Sequence, residues 1–358
     1  MAINGPLIFR RFVTISRKER PVAATNIKMQ TTHESEIQDL IRQKSATLAE
    51  ILKECEKVVV GQRPMMEKIL MAFLCDGHIL LEGLPGLAKT LAVKTFANVM
   101  DLSFNRIQFT PDLLPSDLVG SMVYHQKTGE FSAKRGPVFS NIVLADEINR
   151  APAKVQSALL ESMAERQVTL GDQTHQLPDP FIVLATMNPI EQEGTYSLPE
   201  AQLDRFLFKV KVHYPSQGEE RTILDRMSTL ELPKVTKKVL PKALLEAKAL
   251  AAKVYLDDKL KDYILNIVFT SRFPEKKGLG DLKSYIQVGA SPRATIGLAK
   301  ASRASALMMG RSYVSPDDVK AVCYDILRHR LVLSYEAEAN DVTPEAVIRK
   351  ILDVVEVP

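Results

Sequence analysis

Apolar residues follow two different patterns in the two parts of the chain. Up to residue 215, short continuous apolar runs such as 79–81, 142–145 and 181–185 alternate with segments whose apolar residues recur every three or four positions. Runs of this kind are typical of parallel strands that are buried on both faces of a sheet. From residue 216 onward the spacing is helical. The pattern therefore predicts an α/β fold with a parallel central sheet, followed by a second, all-helical domain.

The same pattern sets the domain boundaries. Helical spacing begins at Glu34, so an α/β core is expected over residues 34–215 and a helical domain over residues 216–358. The first 33 residues are basic and contain few acids. Such a segment can be a disordered arm, a transit peptide or an extension from an upstream start codon. We favour the disordered arm for residues 1–33.

Local signals place two hairpins and three helix starts. Strand-like residues flank a turn in 120–139 and again in 168–177, which predicts one hairpin in each segment. In the helical domain, Ser291, Ser315 and Thr343 each precede a proline. A hydroxyl at the N-cap followed by proline in the first turn predicts the start of a helix.

The stretch from Ile79 to Thr90 combines a predicted strand, a turn and the start of an amphipathic helix. It nearly fits the pattern G-x-x-x-x-G-K-[ST], in which backbone N–H groups and a helix N-terminus favour a bound phosphate. Lys89 would contact the β- and γ-phosphates of ATP, and the Thr90 hydroxyl would bind Mg²⁺. The alternative is a strand–helix turn with a chance Lys-Thr pair. The candidate residues of this loop are Gly83, Leu84, Pro85, Gly86, Leu87, Ala88, Lys89, Thr90 and Leu91.

Ala88 is the one departure from this pattern, because glycine is usual at its position. We expect Ala88 to begin the helix with a negative φ, where alanine is a better helix former than glycine. The departure is therefore expected to cost little.

Polar residues follow two of the predicted strands. Asp146 and Glu147 end one apolar run, and Asn188 ends the next. Ligands in parallel sheets bind at the carboxyl ends of the strands. Asp146 would therefore hold Mg²⁺, directly or through a water molecule of the metal, and Glu147 would polarise the attacking water as a general base. Asn188 could hydrogen-bond that water or the γ-phosphate. The alternatives are an exposed acidic turn for the two acids and a common Asn-Pro turn for Asn188.

Two further features, a bend and a single arginine, could contact the nucleotide, and each also has a purely structural explanation. Val60 and Gly61 form an apolar bend upstream of the loop, which could contact the adenine or could be a buried turn. Arg293 is at the second position of a predicted helix, where the helix dipole repels a cation. Its side chain could turn away to meet a nucleotide phosphate, or it could be solvated.

Composition and charge exclude several classes of function. The 358-residue chain has a net charge of only +4, no Trp and 6% aromatic residues, which argues against a nucleic-acid-binding surface. The three cysteines form no CxxC pair and the six histidines show no metal-ligand spacing, so no zinc site is expected. No run approaches the roughly 20 apolar residues that cross a bilayer. Unpaired cysteines suit a reducing compartment, so we expect a cytoplasmic protein without membrane insertion.

Five motifs, taken in order, closely resemble those of AAA+ ATPases and, within them, the MoxR group. The run Gln108–Asp117 and the alanine at position 88 also resemble that group. The resemblance covers roughly residues 35 to 355. It implies a P-loop AAA+ core with β-hairpin inserts and a C-terminal helical lid. The five motifs are Gly83–Thr90, Asp146–Pro152, Ala185–Pro189, Leu203–Phe206 and Ser291–Arg293.

The resemblance implies a role for each matching residue. The arginine finger is expected to reach the nucleotide of a neighbouring subunit, whereas the sensor 2 arginine is on the lid. The matched residues are Lys89 and Thr90 in Walker A, Asp146 and Glu147 in Walker B, Asn188 as sensor 1, Arg205 as the arginine finger and Arg293 as sensor 2.

The resemblance also implies a function. Proteins that this chain resembles form hexameric rings. They act as chaperone-like ATPases that remodel or mature a client protein, often with a von Willebrand factor A partner. ATP hydrolysis at subunit interfaces would move the lid and the hairpins against the client. Three alternatives stay open: a nucleotide-dependent binding scaffold, a magnesium-chelatase-like motor subunit and a DNA-translocating ring. The presence of Glu147 counts against the scaffold, and the weak net charge counts against the DNA ring.

Overall fold

A computed structural model describes residue 1 and residues 22–190, 194–228 and 233–358 of the chain. Its central sheet has five parallel strands, which lie side by side in the order 104–108, 142–146, 182–187, 79–82 and 208–211. Two hairpins and a short two-stranded sheet lie outside it. The predicted α/β class with a parallel central sheet is confirmed. The strands are β1 (Ile79–Glu82), β2 (Phe104–Gln108), β3 (Gly120–His125), β4 (Glu130–Arg135), β5 (Ile142–Asp146), β6 (Gln167–Leu170), β7 (Gln173–Gln176), β8 (Ile182–Met187), β9 (Phe208–Lys211), β10 (Ile286–Val288) and β11 (Val332–Leu333).

Helices cover both faces of this sheet and make up most of the chain after residue 216. Short 3₁₀ turns occupy residues 148–150, 274–277 and 280–283. The α-helices are α1 (Val22–Glu56), α2 (Arg63–Cys75), α3 (Lys89–Val99), α4 (Pro115–Val119), α5 (Ala153–Glu165), α6 (Glu200–Leu203), α7 (Gln217–Met227), α8 (Pro241–Ala251), α9 (Asp258–Arg272), α10 (Pro292–Met308), α11 (Pro316–Leu327), α12 (Tyr335–Ala339) and α13 (Pro344–Val354).

The apolar runs of the central strands supply side chains to two separate cores. In β5, Ile142 and Leu144 belong to the core that includes the helical domain, whereas Val143 and Ala145 belong to the core around α5. Successive side chains of a strand point to opposite faces, so a continuous apolar run is what a strand covered on both faces requires. The carboxyl ends of β1, β5 and β8 therefore lie side by side at one edge of a well-packed sheet.

Both predicted hairpins are confirmed. β3 pairs with β4, and β6 pairs with β7. The first hairpin exposes two aromatic side chains, since Tyr124 is 52% and Phe131 is 66% exposed, with ring centroids 5.1 Å apart. An exposed aromatic pair at a hairpin surface is available for contact with another molecule.

The predicted helix starts of the second domain are also confirmed. The Ser291 hydroxyl accepts a hydrogen bond from the backbone of Arg293, and the Thr343 hydroxyl accepts one from Ala346. The backbone N–H of Ser315 donates to the Asp318 carboxylate in a reciprocal capping arrangement.

The N-terminal part of the chain differs from the prediction in one respect. The helix expected from Glu34 begins at Val22, so residues 22–33 of the predicted arm are helical. Alanine, methionine, glutamine and lysine in this stretch are good helix formers, and the prediction relied on apolar spacing alone. The basic residues Arg10 to Arg20 lie outside the described residues. Among the residues that the structure does describe, none of the helices combines the length and the apolarity that a membrane span needs.

Candidate active site

The glycine-containing loop and the ends of β5 and β8 border one cavity of about 410 Å³. The structure thus brings most of the predicted site residues to one place, although they are up to 103 positions apart in the sequence (Pro85 to Asn188). Its lining residues are Pro85, Gly86, Leu87, Ala88, Lys89, Thr90, Leu91, Arg106, Asp146, Glu147, Thr186 and Asn188.

Gly83 and Leu84 lie behind the loop. A Cβ on Gly83 would be 2.9 Å from the Cβ and the backbone oxygen of Val212, so the chain just after β9 leaves no room for a side chain at this position. Leu84 packs against the main core. These two residues fix the loop to the sheet, whereas Pro85 to Leu91 face the cavity.

Lys89 is the cation of the loop. Its Nζ donates a hydrogen bond of 2.5 Å to the carbonyl oxygen of Gly83. Burial lowers the pKa of Lys89, and the nearby carboxylates of Asp146 and Glu147 act in the opposite direction. The neutral Gly83 carbonyl compensates the partly buried charge of this amine only in part, and a phosphate in the cavity would give it an anionic partner.

Ala88 does not have the predicted backbone conformation. Its φ is +57° and its ψ is 20°, which is the left-handed region, and the helix begins one residue later at Lys89. The expectation of a negative φ was wrong, because the chain must reverse between the loop and the helix. Left-handed residues in such loops turn successive N–H groups toward an anion, at a cost of about 1–2 kcal/mol for a residue with a Cβ.

This conformation predicts the effect of Ala88→Gly. Glycine removes the strain at positive φ but makes the unfolded chain more flexible, so the free energy of unfolding is expected to rise by about 0.5–1 kcal/mol. Ala92→Gly, inside α3, is the matched control and should lower it by at least about 1 kcal/mol. Urea unfolding of both variants measures the difference. Equal destabilisation by the two substitutions would contradict a positive φ at residue 88.

Asp146 and Glu147 are held by a dense set of hydrogen bonds. One oxygen of Asp146 accepts from the Thr186 hydroxyl at 2.5 Å, and the same hydroxyl oxygen accepts from the backbone N–H of Glu147 at 2.8 Å. Glu147 has φ +56°, a strained conformation that turns the chain directly after β5. Strain of this kind is concentrated at functional sites, because the surrounding structure must maintain it.

Three residues of the site were not predicted from the sequence: Arg106 and Thr186, which line the cavity, and Gln108, which hydrogen-bonds to Glu147. The Arg106 guanidinium donates to Asp146, and the Gln108 amide donates to Glu147 at 2.8 Å. The signal for Arg106 and Gln108 is the alternation of β2, which places residues 106 and 108 on one face, and the pairing of Gln108 with Asp146 in the parallel register. That register depends on the strand order, which spacing along the chain does not reveal.

Asn188 lies in an Asn-Pro turn and also lines the cavity. Its side chain is 8% exposed and lines the cavity, and its Oδ1 accepts from the backbone N–H of Ile190 at 3.2 Å. The Asn-Pro turn therefore fixes the amide in a position that faces the loop.

A second cavity of about 1170 Å³ adjoins the first and shares Pro85, Gly86 and Leu87 with it. Its other side is formed by Tyr214, Pro215 and the helix α7. Gly61 has φ +74°, and a Cβ there would lie 3.0 Å from the Cβ of Pro215. The bend at Val60 and Gly61 thus supports a wall of this cavity, although neither residue is among the described residues that line it.

Arg205 and Arg293 are not among the described residues that line either cavity. Arg205 is exposed, and its guanidinium donates to the carbonyl of Leu160 at 2.7 Å. The anion nearest to the Arg293 guanidinium is the Asp204 carboxylate, at 3.7 Å. The structure therefore places Arg293 beside the Asp204 carboxylate, whereas the Arg205 guanidinium contacts α5.

Asp204 connects the lid to the segment that carries Arg205. Its carboxylate accepts from the Ser291 hydroxyl at 2.9 and 3.0 Å and from the Arg330 guanidinium at 2.8 Å. Arg330 also donates to the carbonyl of Phe206. Burial lowers the pKa of Arg330 to about 10, so it stays charged and Asp204 is its counter-ion. The start of α10 and the end of α11 are thereby fixed against residues 204–206.

The donor set of the first cavity suits Mg²⁺. Magnesium is bound by oxygen ligands, usually one or two from the protein together with water and phosphate oxygens. The Thr90 hydroxyl and the Asp146 carboxylate both face the cavity and supply oxygen donors of this kind. The metal would neutralise phosphate charge there, while Lys89 and the loop N–H groups contact the remaining oxygens.

Comparison with known proteins identifies the family. The chain is 51% identical over 313 residues to Chaperone MoxR1 of Mycobacterium tuberculosis, covering 87% of this chain and 82% of that protein. The chain belongs to the MoxR family of AAA+ ATPases. A second relative, the protein YeaC of Bacillus subtilis, is 44% identical and matches 87% of this chain and 95% of its own length.

Family models and a solved structure agree with this MoxR-family assignment. Residues 78–208 match a model for ATPases associated with various cellular activities, and residues 281–351 match an AAA lid domain. A crystal structure from Cytophaga hutchinsonii, described as a candidate ATPase, superposes with a TM-score of 0.85. It is 50% identical and covers 92% of this chain and 99% of its own. The predicted family, the AAA+ fold and the helical lid are therefore confirmed.

Proposed function

We propose that this MoxR-family protein is a Mg²⁺-dependent ATPase that hydrolyses ATP at the interfaces of a hexameric ring. Hydrolysis would drive the remodelling or maturation of a client protein. The observation that carries the proposal is the first cavity, in which the phosphate loop faces Asp146, Glu147 and Asn188. A relative that is named a chaperone supports the client-directed part of the proposal.

The cavity contains groups for each chemical task. Lys89 and the loop N–H groups would bind the phosphates, and Thr90 and Asp146 would bind the metal. Glu147 is fixed at one of its two carboxylate oxygens by Gln108 and Arg150. Its other oxygen can accept a proton from the attacking water, while the Asn188 amide orients that water.

The positions of Arg205 and Arg293 support hydrolysis between subunits. Neither is among the described residues that line the cavities of its own chain, and both side chains are exposed. Exposed cations outside the cavity of their own chain are suited to contact the phosphates of a neighbouring subunit. We therefore propose that both arginines act on a neighbour's nucleotide, so that one chain alone is an incomplete enzyme.

The hairpin β3–β4 is the proposed contact with the client. Tyr124 and Phe131 are exposed on it, and aromatic side chains at loop tips are suited to grip another chain. A von Willebrand factor A domain is the proposed partner in some assemblies. The three cysteines of the chain, at 55, 75 and 323, are buried and unpaired, which supports a reducing, cytoplasmic location.

Lys89→Ala tests the phosphate-binding role. Loss of the charged donor is expected to weaken ATP binding by about 100-fold or more, because hydrogen bonds to charged groups contribute about 1.5–3 kcal/mol each and the loop loses its cation. Lys94→Ala, at an exposed position of the same helix, is the matched control and should bind ATP like the wild type. Isothermal titration with Mg-ATP measures both. Unaltered affinity in Lys89→Ala would remove the assignment of the loop.

A further inference from the structure

Arg106 lines the cavity and contacts Asp146, the proposed magnesium ligand. Its Nε and Nη2 both donate to one carboxylate oxygen of Asp146, at 3.0 and 2.6 Å. The other oxygen accepts from the Thr186 hydroxyl. Both oxygens of the predicted metal ligand are therefore already engaged by donors of the chain itself.

A guanidinium and a magnesium ion compete for such an oxygen. Each is a cation, and the carboxylate oxygen that accepts two N–H groups at these distances has little room for a ligand bond of about 2.0–2.1 Å. The Arg106 side chain is 49% exposed, whereas that of Asp146 is 14% exposed. Arg106 can thus move into solvent without opening the core, while Asp146 stays in place.

Gln108 fixes the guanidinium in this competing position. Its carbonyl oxygen accepts from Nη2 of Arg106 at 2.9 Å, and its NH₂ group donates to Glu147 at 2.8 Å. Both ends of the amide are used, so Gln108 is held in the orientation that retains Arg106. Residues 106 and 108 lie on the same face of β2, and the contact is built into the strand.

We propose that Arg106 is an internal counter-ion of Asp146 that must leave this carboxylate before magnesium can bind to it. This proposal rests on the proposed function. In it, Arg106 is a positioning residue that weakens metal binding. Arg106 would also delay assembly of the hydrolytic site until a metal–nucleotide complex arrives. The guanidinium, once released, remains at the cavity edge.

The test is the affinity of the protein–ADP complex for Mn²⁺, measured from the electron paramagnetic resonance signal of free Mn²⁺. ADP is used so that turnover does not enter. Arg106→Gln removes both donors and is expected to lower the Kd for Mn²⁺ about tenfold, because the metal no longer competes with a charge-assisted hydrogen-bond pair for the carboxylate. Arg106→Lys keeps the charge without the paired donors and should give an intermediate value. Gln108→Ala should lower the Kd about threefold by loosening the guanidinium.

Two controls separate this effect from a general change in charge. Arg135→Gln makes the same substitution at an exposed position of β4 and should leave the Kd unchanged. Asp146→Asn in the Arg106→Gln background should abolish the gain, because the effect acts through that carboxylate. An unchanged or raised Kd in Arg106→Gln overturns the proposal, as does a gain that survives Asp146→Asn.

Failure of this inference can be told apart from failure of the proposed function. A wild-type protein that binds neither ADP nor ATP would refute the ATPase, and the same Mn²⁺ titration without nucleotide would still test the Arg106–Asp146 pair. The other case is a wild type that binds nucleotide and an Arg106→Gln variant that binds ADP more weakly but Mn²⁺ with unaltered affinity. That result would make Arg106 a phosphate contact and would overturn the counter-ion role alone.

Discussion

Glu147→Gln is expected to reduce ATP turnover by about 10²- to 10⁴-fold while Mg-ATP still binds. The amide has nearly the same shape as the carboxylate and can still accept the hydrogen bond of Gln108, but it cannot take a proton from water. The loop, Lys89 and Asp146 are untouched by the change. The variant should therefore accumulate in the ATP-bound state.

The measurement for Glu147→Gln is phosphate release at saturating Mg-ATP, with ATP affinity determined in parallel. Glu161→Gln, at an exposed position of α5, makes the same chemical change away from the cavity and should turn over normally. Normal turnover in Glu147→Gln would mean that another group activates the water. It would also favour the nucleotide-dependent scaffold, for which this base is not needed.

Arg205→Ala should lower turnover by about 10³- to 10⁵-fold, the range observed for arginine fingers. The exposed side chain donates one hydrogen bond to the carbonyl of Leu160, so its removal should change the melting temperature little. Affinity for ATP should stay near the wild-type value, because the residue is not part of the described lining of its own cavity.

Steady-state hydrolysis at fixed ring concentration measures the effect of Arg205→Ala, and Arg349→Ala, at an exposed position of α13, serves as its control. A large loss of ATP affinity with unchanged turnover per bound nucleotide would count against the finger role. It would mean that Arg205 serves its own chain's site.

The sheet and the ends of its strands could be predicted because local sequence determines them. Four apolar residues in a row at 142–145 fit a strand buried on both faces, and the polar residues that follow must then leave the sheet. Asp146 and Asn188 were found in this way. Parallel strands share a direction, so their carboxyl ends meet at one edge whatever the loops between them contain.

Other parts of the site depend on contacts that spacing does not reveal. Ala88 has a positive φ because the chain reverses between the loop and α3, whereas propensity alone favours a helical alanine. Arg106 contacts Asp146 only because β2 and β5 are neighbours in the sheet. The partner of Arg293 is Asp204, which the fold of the lid brings to it across 89 positions of sequence (293 minus 204).

The most direct test of hydrolysis between subunits mixes two inactive proteins. The Arg205→Ala and Glu147→Gln proteins are mixed with each other at varying ratios under conditions in which subunits exchange, and phosphate release is recorded. A mixed interface can contain an intact Glu147 from one subunit and an intact Arg205 from the next, so activity should reappear and be largest near equal amounts. Rings shown to contain both variants that stay inactive at every ratio would contradict the account.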